Sequence, residues 1–128
     1  MPGGAPIPTE RMVQRSILRM VEWCFPNVLI HHSPNGAHLA GSAGPLLGDG
    51  MRPGFPDLVA IWPGGVAFME VKRPQGPRGG GGGVISPDQQ DMIARLRGMK
   101  HRVAIVRSQE EAHLFLKNCG APFCGELT

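Results

Sequence analysis

Two carboxylates and an ammonium group lie in the part of the chain that most strongly favours β-strands. Residues 53–76 read PGFPDLVAIWPGGVAFMEVKRPQG and contain Asp57, Glu70 and Lys72. Side chains alternate along a strand, so Glu70 and Lys72 project from the same face, roughly 7 Å apart at their Cα atoms. The turn PGG at 63–65 joins two strands as a hairpin, which brings Asp57 towards Glu70 at one end of the sheet.

The proximity of these two carboxylates predicts a site for a divalent cation. Neighbouring carboxylates repel each other unless a proton or a cation lies between them. Because the available donors are oxygens, the pattern favours Mg²⁺ or Mn²⁺ over zinc. Such an ion would bind a phosphate and lower the pKa of an attacking water, and Lys72 would orient or deprotonate that water. The same spacing also fits an ordinary hairpin on which Glu70 and Lys72 form a surface pair.

The elements around the hairpin predict a mixed sheet covered by helices. A first helix runs from Glu10 to the residues before Pro26, with Thr9 as its N-cap. Strands are predicted at 27–32, 57–62, 66–72 and 101–107, and further helices over 87–98 and from Gln109 to about Asn118. The order α-β-β-β-α-β-α combines a hairpin with a crossover and predicts an α/β fold with helices flanking a mixed sheet.

Polar residues extend the apolar faces of two helices. On the first helix, Glu10 and Gln14 continue the row that carries Ile17, and on the second Gln89 precedes Met92. Polar groups that face a core need partners, which a metal and phosphate site would supply. Each also has a simpler explanation, because Glu10 complements the helix dipole and Gln89 suits a capping box with Ser86.

Composition limits the class of protein. The 128 residues suit one domain, and 41% hydrophobic with 18% charged residues is typical of a globular chain. The net charge of +3 permits a polyanionic partner. No stretch of about 18 apolar residues occurs, so we expect a soluble, cytoplasmic protein without a membrane partner. The three cysteines match neither a disulfide framework nor a C-x-x-C metal pair.

The chain divides into three parts by composition. Residues 1–8 are rich in proline and glycine and predict a flexible N-terminal arm, residues 9–118 form the folded domain, and residues 119–128 form a C-terminal tail. The tail is apolar enough to fold onto its own domain or to cover a partner. The glycine-rich segment 76–83 is expected to be poorly ordered without DNA, because glycine loses the most backbone entropy when fixed.

Four motifs follow one another along the chain: GFPDLVA, AFMEVKRPQG, SPDQQ and VAIVRSQEEA. Together they resemble the VRR-NUC (virus-type replication–repair nuclease) domain of the PD-(D/E)XK nuclease superfamily. The resemblance extends from about Thr9 to Leu116 and implies a restriction-endonuclease-like core. Stand-alone phage and bacterial members of the family are similar to structure-specific DNA nucleases such as Holliday-junction resolvases. The long glycine run between Lys72 and Gln89 departs from the usual family pattern.

The resemblance also implies a role for each matching residue. Asp57 and Glu70 would be metal ligands, assisted by the backbone carbonyl of Val71, and Lys72 would be the catalytic lysine. Gln89 would be the downstream glutamine of the family's active site. Glu10 would supply the first-helix acid as a further metal ligand. The implied cofactor is Mg²⁺, for which Mn²⁺ substitutes.

Arginines around these motifs would hold DNA phosphates with little sequence readout. Arg73 and Arg78 flank the glycine-rich segment, and a row on the first helix contains Arg11, Arg15 and Arg19. A solvated basic face is the simpler explanation of any single arginine. A zinc site made by Cys24 and three histidines, His31, His32 and His38, is disfavoured. Their spacing matches no structural zinc signature.

The sequence thus predicts a Mg²⁺-dependent DNA endonuclease acting at branched DNA such as Holliday junctions. We expect a homodimer, because a four-way junction is resolved by paired cuts and one domain offers a single D…E-x-K centre. The alternatives are an inactive DNA-binding or assembly module with this fold, and a nuclease for flaps or single-stranded ends. A sequence-specific restriction enzyme would need a recognition segment that 128 residues scarcely provide.

Overall fold

The structure is a computed structural model that describes residues 6–33, 48–76 and 83–124. Its elements follow the predicted order, α-β-β-β-α-β-α. The helices are α1 (Glu10–Cys24), α2 (Pro87–Gly98) and α3 (Gln109–Asn118), and the strands are β1 (Leu29–His32), β2 (Leu58–Trp62), β3 (Gly65–Val71) and β4 (Arg102–Val106). The segment between β1 and β2 and the glycine-rich run are in part outside the described residues, and so is Arg78.

The four strands form one mixed sheet in the order β1-β2-β3-β4. The first three strands are antiparallel neighbours, and β4 lies parallel to β3. The turn between β2 and β3 has only two residues, Pro63 and Gly64, because Gly65 already pairs with Trp62. Gly64 has a φ of 84°, a backbone conformation that glycine adopts without a steric penalty.

Three strands are shorter than predicted at the ends that lie near charged or turn residues. β1 begins only at Leu29, because Val28 donates to the carbonyl of Phe25 in a turn that follows α1. β2 begins at Leu58 rather than at Asp57. The Asp57 side chain accepts the hydrogen bond that a backbone carbonyl would accept if the strand continued. β4 ends at Val106, because the Arg107 N–H donates to the Glu111 side chain instead of to a strand.

The two faces of the sheet are covered unequally. Helices α1 and α3 pack on one face, where alternate residues of β2 and β3 point inward and are fully buried, among them Leu58 and Met69. Helix α2 covers β3 and β4 on the opposite face through a smaller cluster made by Ile93, Leu96 and Val103. Glu70 and Lys72 alternate with the buried residues of β3, and so they lie on the α2 face of the sheet.

The described part of the C-terminal tail packs against its own domain. The backbone N–H of Cys124 donates to the carbonyl of Cys24 at the end of α1 over 2.9 Å. The ring of Phe123 lies 5.9 Å from that of Phe25, and Lys117 lies over the Phe123 ring. Of the two predicted roles of the tail, folding onto its own domain is therefore the one observed through residue 124. None of the described helices is long and apolar enough to span a membrane.

Candidate active site

Asp57 and Glu70 face each other at the open end of the hairpin. The register pairs Leu58 with Met69, and continuing it by one residue places Asp57 opposite Glu70. Opposite residues of an antiparallel pair project from the same face and lie close together. Glu70 is 1% exposed, although a carboxylate is rarely buried to this extent.

Asp57 is held in place by both its side chain and its backbone. Its Oδ2 accepts a hydrogen bond of 2.9 Å from the Val71 N–H, just beyond the last pair of the β2–β3 ladder. Its carbonyl accepts from the Ser33 N–H at 2.7 Å and contacts the Nδ1 of His32 at 3.2 Å. These contacts fix the carboxylate beside the end of β3, and the Val71 carbonyl points to the same side because N–H and C=O of one strand residue face the same way.

The two oxygens of Glu70 have different surroundings. Oε2 accepts a hydrogen bond of 2.9 Å from the Nε2 of Gln89 and lies 3.8 Å from the Nζ of Lys72. Oε1 is buried and has no hydrogen-bond donor within the described part of the chain. Because an unpartnered buried oxygen is costly, this atom is available to a cation or a proton.

The pKa of Glu70 is raised from its ordinary value of 4.5 to about 9. Burial is the largest cause, and the negative charge of Asp57 and a hydrogen bond with the Asp57 carboxyl group act in the same direction. The positive charge of Lys72 lowers the pKa, but by less. The pair therefore retains a proton in the absence of a cation, as expected for two carboxyl groups that share one site.

This pKa predicts that the paired carboxylates destabilise the metal-free protein increasingly as the pH rises. In the unfolded chain Glu70 ionises near 4.5, whereas in the folded protein it keeps its proton up to about 9. The folded state therefore binds more protons between these values, and the free energy of unfolding falls with pH across that window. Thermal unfolding in EDTA should reveal a difference between wild type and Glu70→Gln that widens from about pH 5 to about pH 8. A difference that is constant over this range would contradict the assignment.

Glu10 approaches the same site from the start of α1. The residue as a whole is exposed, but its carboxyl group is partly desolvated, and this raises its pKa. The positive charge of Lys72 lowers that pKa and the negative charge of Asp57 raises it, so all three charges lie within electrostatic range. Within the described ranges no group of three histidine, cysteine or acidic side chains is close enough to hold a metal. The structure thus places Glu10 near the pair without joining it to them.

Gln89 performs two tasks at the start of α2. Its side-chain oxygen accepts from the Ser86 N–H at 2.9 Å and its own N–H donates to the Ser86 Oγ at 3.2 Å, which completes a capping box. Its amide nitrogen is the group that donates to Glu70. The capping box expected for Gln89 is therefore confirmed, and it fixes the orientation in which the amide reaches the Glu70 carboxylate. The role of Gln89 beside a metal and phosphate stays a prediction.

Separating these two tasks gives a prediction for Gln89. Gln89→Met should reduce both stability and the DNA cleavage that the sequence predicts, whereas Ser86→Ala should cost about 1 kcal/mol of stability through the lost cap and leave the amide at Glu70. Thermal unfolding and cleavage rates of the two variants should be measured side by side. If the two variants lose the same activity for the same loss of stability, Gln89 matters only as a helix cap.

Gly54 joins the loop before Asp57 to the start of α2. Its φ is 76°, and a Cβ at this position would collide with the backbone carbonyl of Asp88. Only glycine combines this conformation with so close an approach. The contact keeps the segment that carries Asp57 and the helix that carries Gln89 at a fixed separation.

Residues 5–110 match the model of the VRR-NUC domain family. The chain belongs to this family. No curated protein matches the chain significantly. The match covers most of the chain, including three of the four motifs in full and the fourth as far as Glu110. The mixed sheet with flanking helices confirms the predicted α/β fold with a restriction-endonuclease-like, PD-(D/E)XK core.

The VRR-NUC domain brings Asp57, Glu70, Lys72 and Gln89 together at one end of its sheet. Lys72 is 8% exposed, and its aliphatic stem lies beside Gly83, where a Cβ would be 3.0 Å from the Lys72 Cδ. The simpler explanation of Glu70 and Lys72 as a solvated surface pair is therefore wrong, because both side chains are buried. What remains a prediction is that this cluster binds a metal and cleaves DNA.

The predicted DNA-binding arginines are only partly brought to the site. Arg73 follows Lys72 directly and is half-buried, whereas Arg11 and Arg15 are exposed on α1. Arg107 was not among the predicted residues, and its Nη1 donates to the Arg73 carbonyl at 2.8 Å. A signal was available, because parallel strands end at the same edge of a sheet and Arg107 follows β4 as Lys72 follows β3.

Of the histidines that could suggest a zinc site, one contacts the candidate active site through a backbone carbonyl. The ring of His32 contacts the Asp57 carbonyl, and His31 is exposed. His38 lies outside the described residues. Contacts to a backbone carbonyl leave no pattern in the sequence, so the role of His32 in positioning Asp57 could not be predicted.

Proposed function

We propose that this VRR-NUC protein is a cytoplasmic, Mg²⁺-dependent DNA endonuclease that hydrolyses phosphodiester bonds. The observation that supports it most is the pair formed by Asp57 and Glu70, in which a buried oxygen of Glu70 has no hydrogen-bond donor among the described residues. The facing carboxyl groups of Asp57 and Glu70 supply the oxygen donors that suit a hard divalent ion, which would displace the proton that the pair retains. Asp57, Glu70 and the Val71 carbonyl would hold that ion, with Glu10 as a further acid close by.

A divalent ion bound there would neutralise charge on the scissile phosphate and lower the pKa of an attacking water. Gln89 donates to Oε2 of Glu70, which leaves Oε1 as the oxygen without a hydrogen-bond partner among the described residues. The positive charge of Lys72 lies 3.8 Å from Glu70, and in a buried setting that charge acts with little solvent screening. Lys72 would orient the attacking water and offset the negative charge that develops on the phosphate.

Branched DNA such as a Holliday junction is the substrate that we propose. The alternatives are a nuclease for flaps or single-stranded ends, and an inactive DNA-binding module. The intact D…E-x-K set argues against the inactive module, because a module that no longer cleaves has no need of all three groups. The family membership supports a nuclease, and the branched substrate rests on the resemblance to resolvase-like members.

The test is cleavage of a panel of end-labelled DNAs by the full chain. Duplex, 5′ flap, splayed and four-way junction substrates should each be incubated with Mg²⁺, Mn²⁺ or EDTA. We expect junction cleavage that requires the metal and is symmetric on opposing strands. Preferential cleavage of flaps or ends would favour the alternative nuclease, and binding without cleavage of any substrate would indicate the inactive module.

The junction substrate carries a prediction about oligomeric state. Paired cuts need two active centres, and a two-fold homodimer supplies the second. Light scattering at micromolar concentration should give about twice the chain mass of 13.7 kDa. A monomer that cuts flaps but leaves junctions intact would contradict both the dimer and the substrate.

A further inference from the structure

A groove runs along the domain between α1 and the start of α3. It has a volume of about 540 Å³ and includes Arg15 and Arg19 of α1, Pro74, and Arg107. Pro74 lies two residues after Lys72, and Arg107 follows the last residue of β4. The groove therefore opens beside the same sheet edge that carries Asp57 and Glu70.

The groove is electropositive. Among the described residues three arginines line it, and Glu110 is the one acidic side chain of that lining. Arg15 and Arg19 are exposed, and neither side chain makes a hydrogen bond or an ion pair within residues 6–33, 48–76 and 83–124. Arg11, which shares their helix row, does not line the groove. Two arginines of this row therefore line the groove, and the third does not.

Arg107 is anchored at the end of the groove nearest the active site. Its guanidinium uses one N–H to bind the Arg73 carbonyl at 2.8 Å, and its backbone N–H donates to Oε1 of Glu111. A guanidinium has five donors in a rigid fork, so an arginine fixed through one of them presents the others with little further loss of entropy. Such a group suits the phosphate of a nucleic-acid backbone.

We propose that this groove binds one strand of the nucleic-acid substrate through its phosphates and leads it to the paired carboxylates. Arg107 contacts the phosphate nearest the cleaved bond, and Arg15 and Arg19 contact phosphates farther along the strand. The claim that the strand leads from the groove to the paired carboxylates rests on the proposed nuclease function. The claim that the groove binds a strand does not. Recognition is independent of sequence, because the lining offers guanidinium groups to phosphates rather than an element that enters a groove of the duplex.

The salt dependence of binding tests the groove directly. Binding of a fluorescein-labelled single-stranded oligodeoxythymidylate and of a labelled duplex is measured by anisotropy in EDTA, between about 50 and 200 mM salt. Arg15→Gln, Arg19→Gln and Arg107→Gln should each lower the slope of log K against log salt by about 0.7 to 0.9, the change expected for one lost phosphate contact. Arg95→Gln, which removes an exposed arginine from the last turn of α2, is the matched control and should leave the slope unchanged.

Neutral linkages then locate the strand. Single methylphosphonates placed along the substrate near the cleaved bond should weaken binding to the wild type. At one of these positions the methylphosphonate should not weaken binding to Arg107→Gln any further, because the contact is already lost. Arg107→Lys keeps the charge and should retain the salt slope, which separates phosphate binding from misfolding. Wild-type slopes in all three groove variants, or no binding of either probe, would overturn the proposal. A protein that shows the lower slopes but cleaves no DNA would refute the nuclease function and leave the groove intact.

Discussion

Glu70→Gln is expected to abolish DNA cleavage and at the same time to raise the thermal midpoint of the metal-free protein. The amide cannot supply a negatively charged ligand, so the phosphate loses the ion that offsets its charge. Several kcal/mol of transition-state stabilisation then disappear, which corresponds to about a thousandfold or more in rate. Stability should move in the opposite direction near pH 8, because folding of the wild type requires Glu70 to take up a proton that glutamine does not need.

Cleavage rates and thermal unfolding in EDTA near pH 8 check both halves of this expectation. Asp57→Asn is the second variant, and it should behave in the same way because an asparagine oxygen still accepts from the Val71 N–H. Thermal midpoints that rise by about 4 °C or more would correspond to a gain of about 1 kcal/mol. If either variant cleaves DNA at the wild-type rate, the paired carboxylates are not the active site.

Lys72→Met should also remove nearly all activity, but with a different effect on the pair. Methionine keeps much of the apolar stem that lies beside Gly83 and removes the ammonium that is 3.8 Å from Glu70. Without that positive charge the pKa of Glu70 should rise further, since Lys72 is the group that lowers it. We expect a loss of cleavage of about 100-fold or more, in the range of a single well-placed electrostatic or proton-transfer group.

Binding of DNA in EDTA separates this role from simple charge attraction. Arg95→Gln removes one positive charge from α2 and should leave the cleavage rate unchanged, whereas Lys72→Met should bind nearly as well as wild type and fail to cleave. Equal effects of the two substitutions on cleavage would show that Lys72 contributes only to the overall positive field. A Lys72→Met protein with normal cleavage would remove the lysine from the proposed active site.

Much of this site could be predicted from the sequence, because strand geometry fixes it. The alternation of side chains placed Glu70 and Lys72 on one face, and the short turn at Pro63 and Gly64 set the register that brings Asp57 opposite Glu70. Ser86 and Gln89 could be identified as a helix start because a capping box has a local signature. These features depend on residues that are close in sequence or joined by a tight turn.

Other features could not be derived because they depend on tertiary packing. His32 and Arg107 act through backbone carbonyls, which any residue presents. The position of Arg107 beside Lys72 follows from the strand ends, but neither its hydrogen bond nor the contact of His32 follows from a pattern of side chains. The burial of Glu70 and Lys72 requires α2 to cover that face of the sheet, which local patterns do not determine. The position of Glu10 depends on how α1 rotates against the sheet, and the structure leaves it near the pair rather than within it.

The measurement that tests the central claim most directly is calorimetric titration of the metal-free protein with Mn²⁺ near pH 7, in two buffers of different ionisation enthalpy. A cation that binds between Asp57 and Glu70 must displace the proton that the raised pKa of Glu70 retains. We predict Mn²⁺ binding accompanied by the release of close to one proton per ion, and neither binding nor release in Glu70→Gln. Mn²⁺ binding that is unchanged in Glu70→Gln, or that releases no proton, would contradict the account.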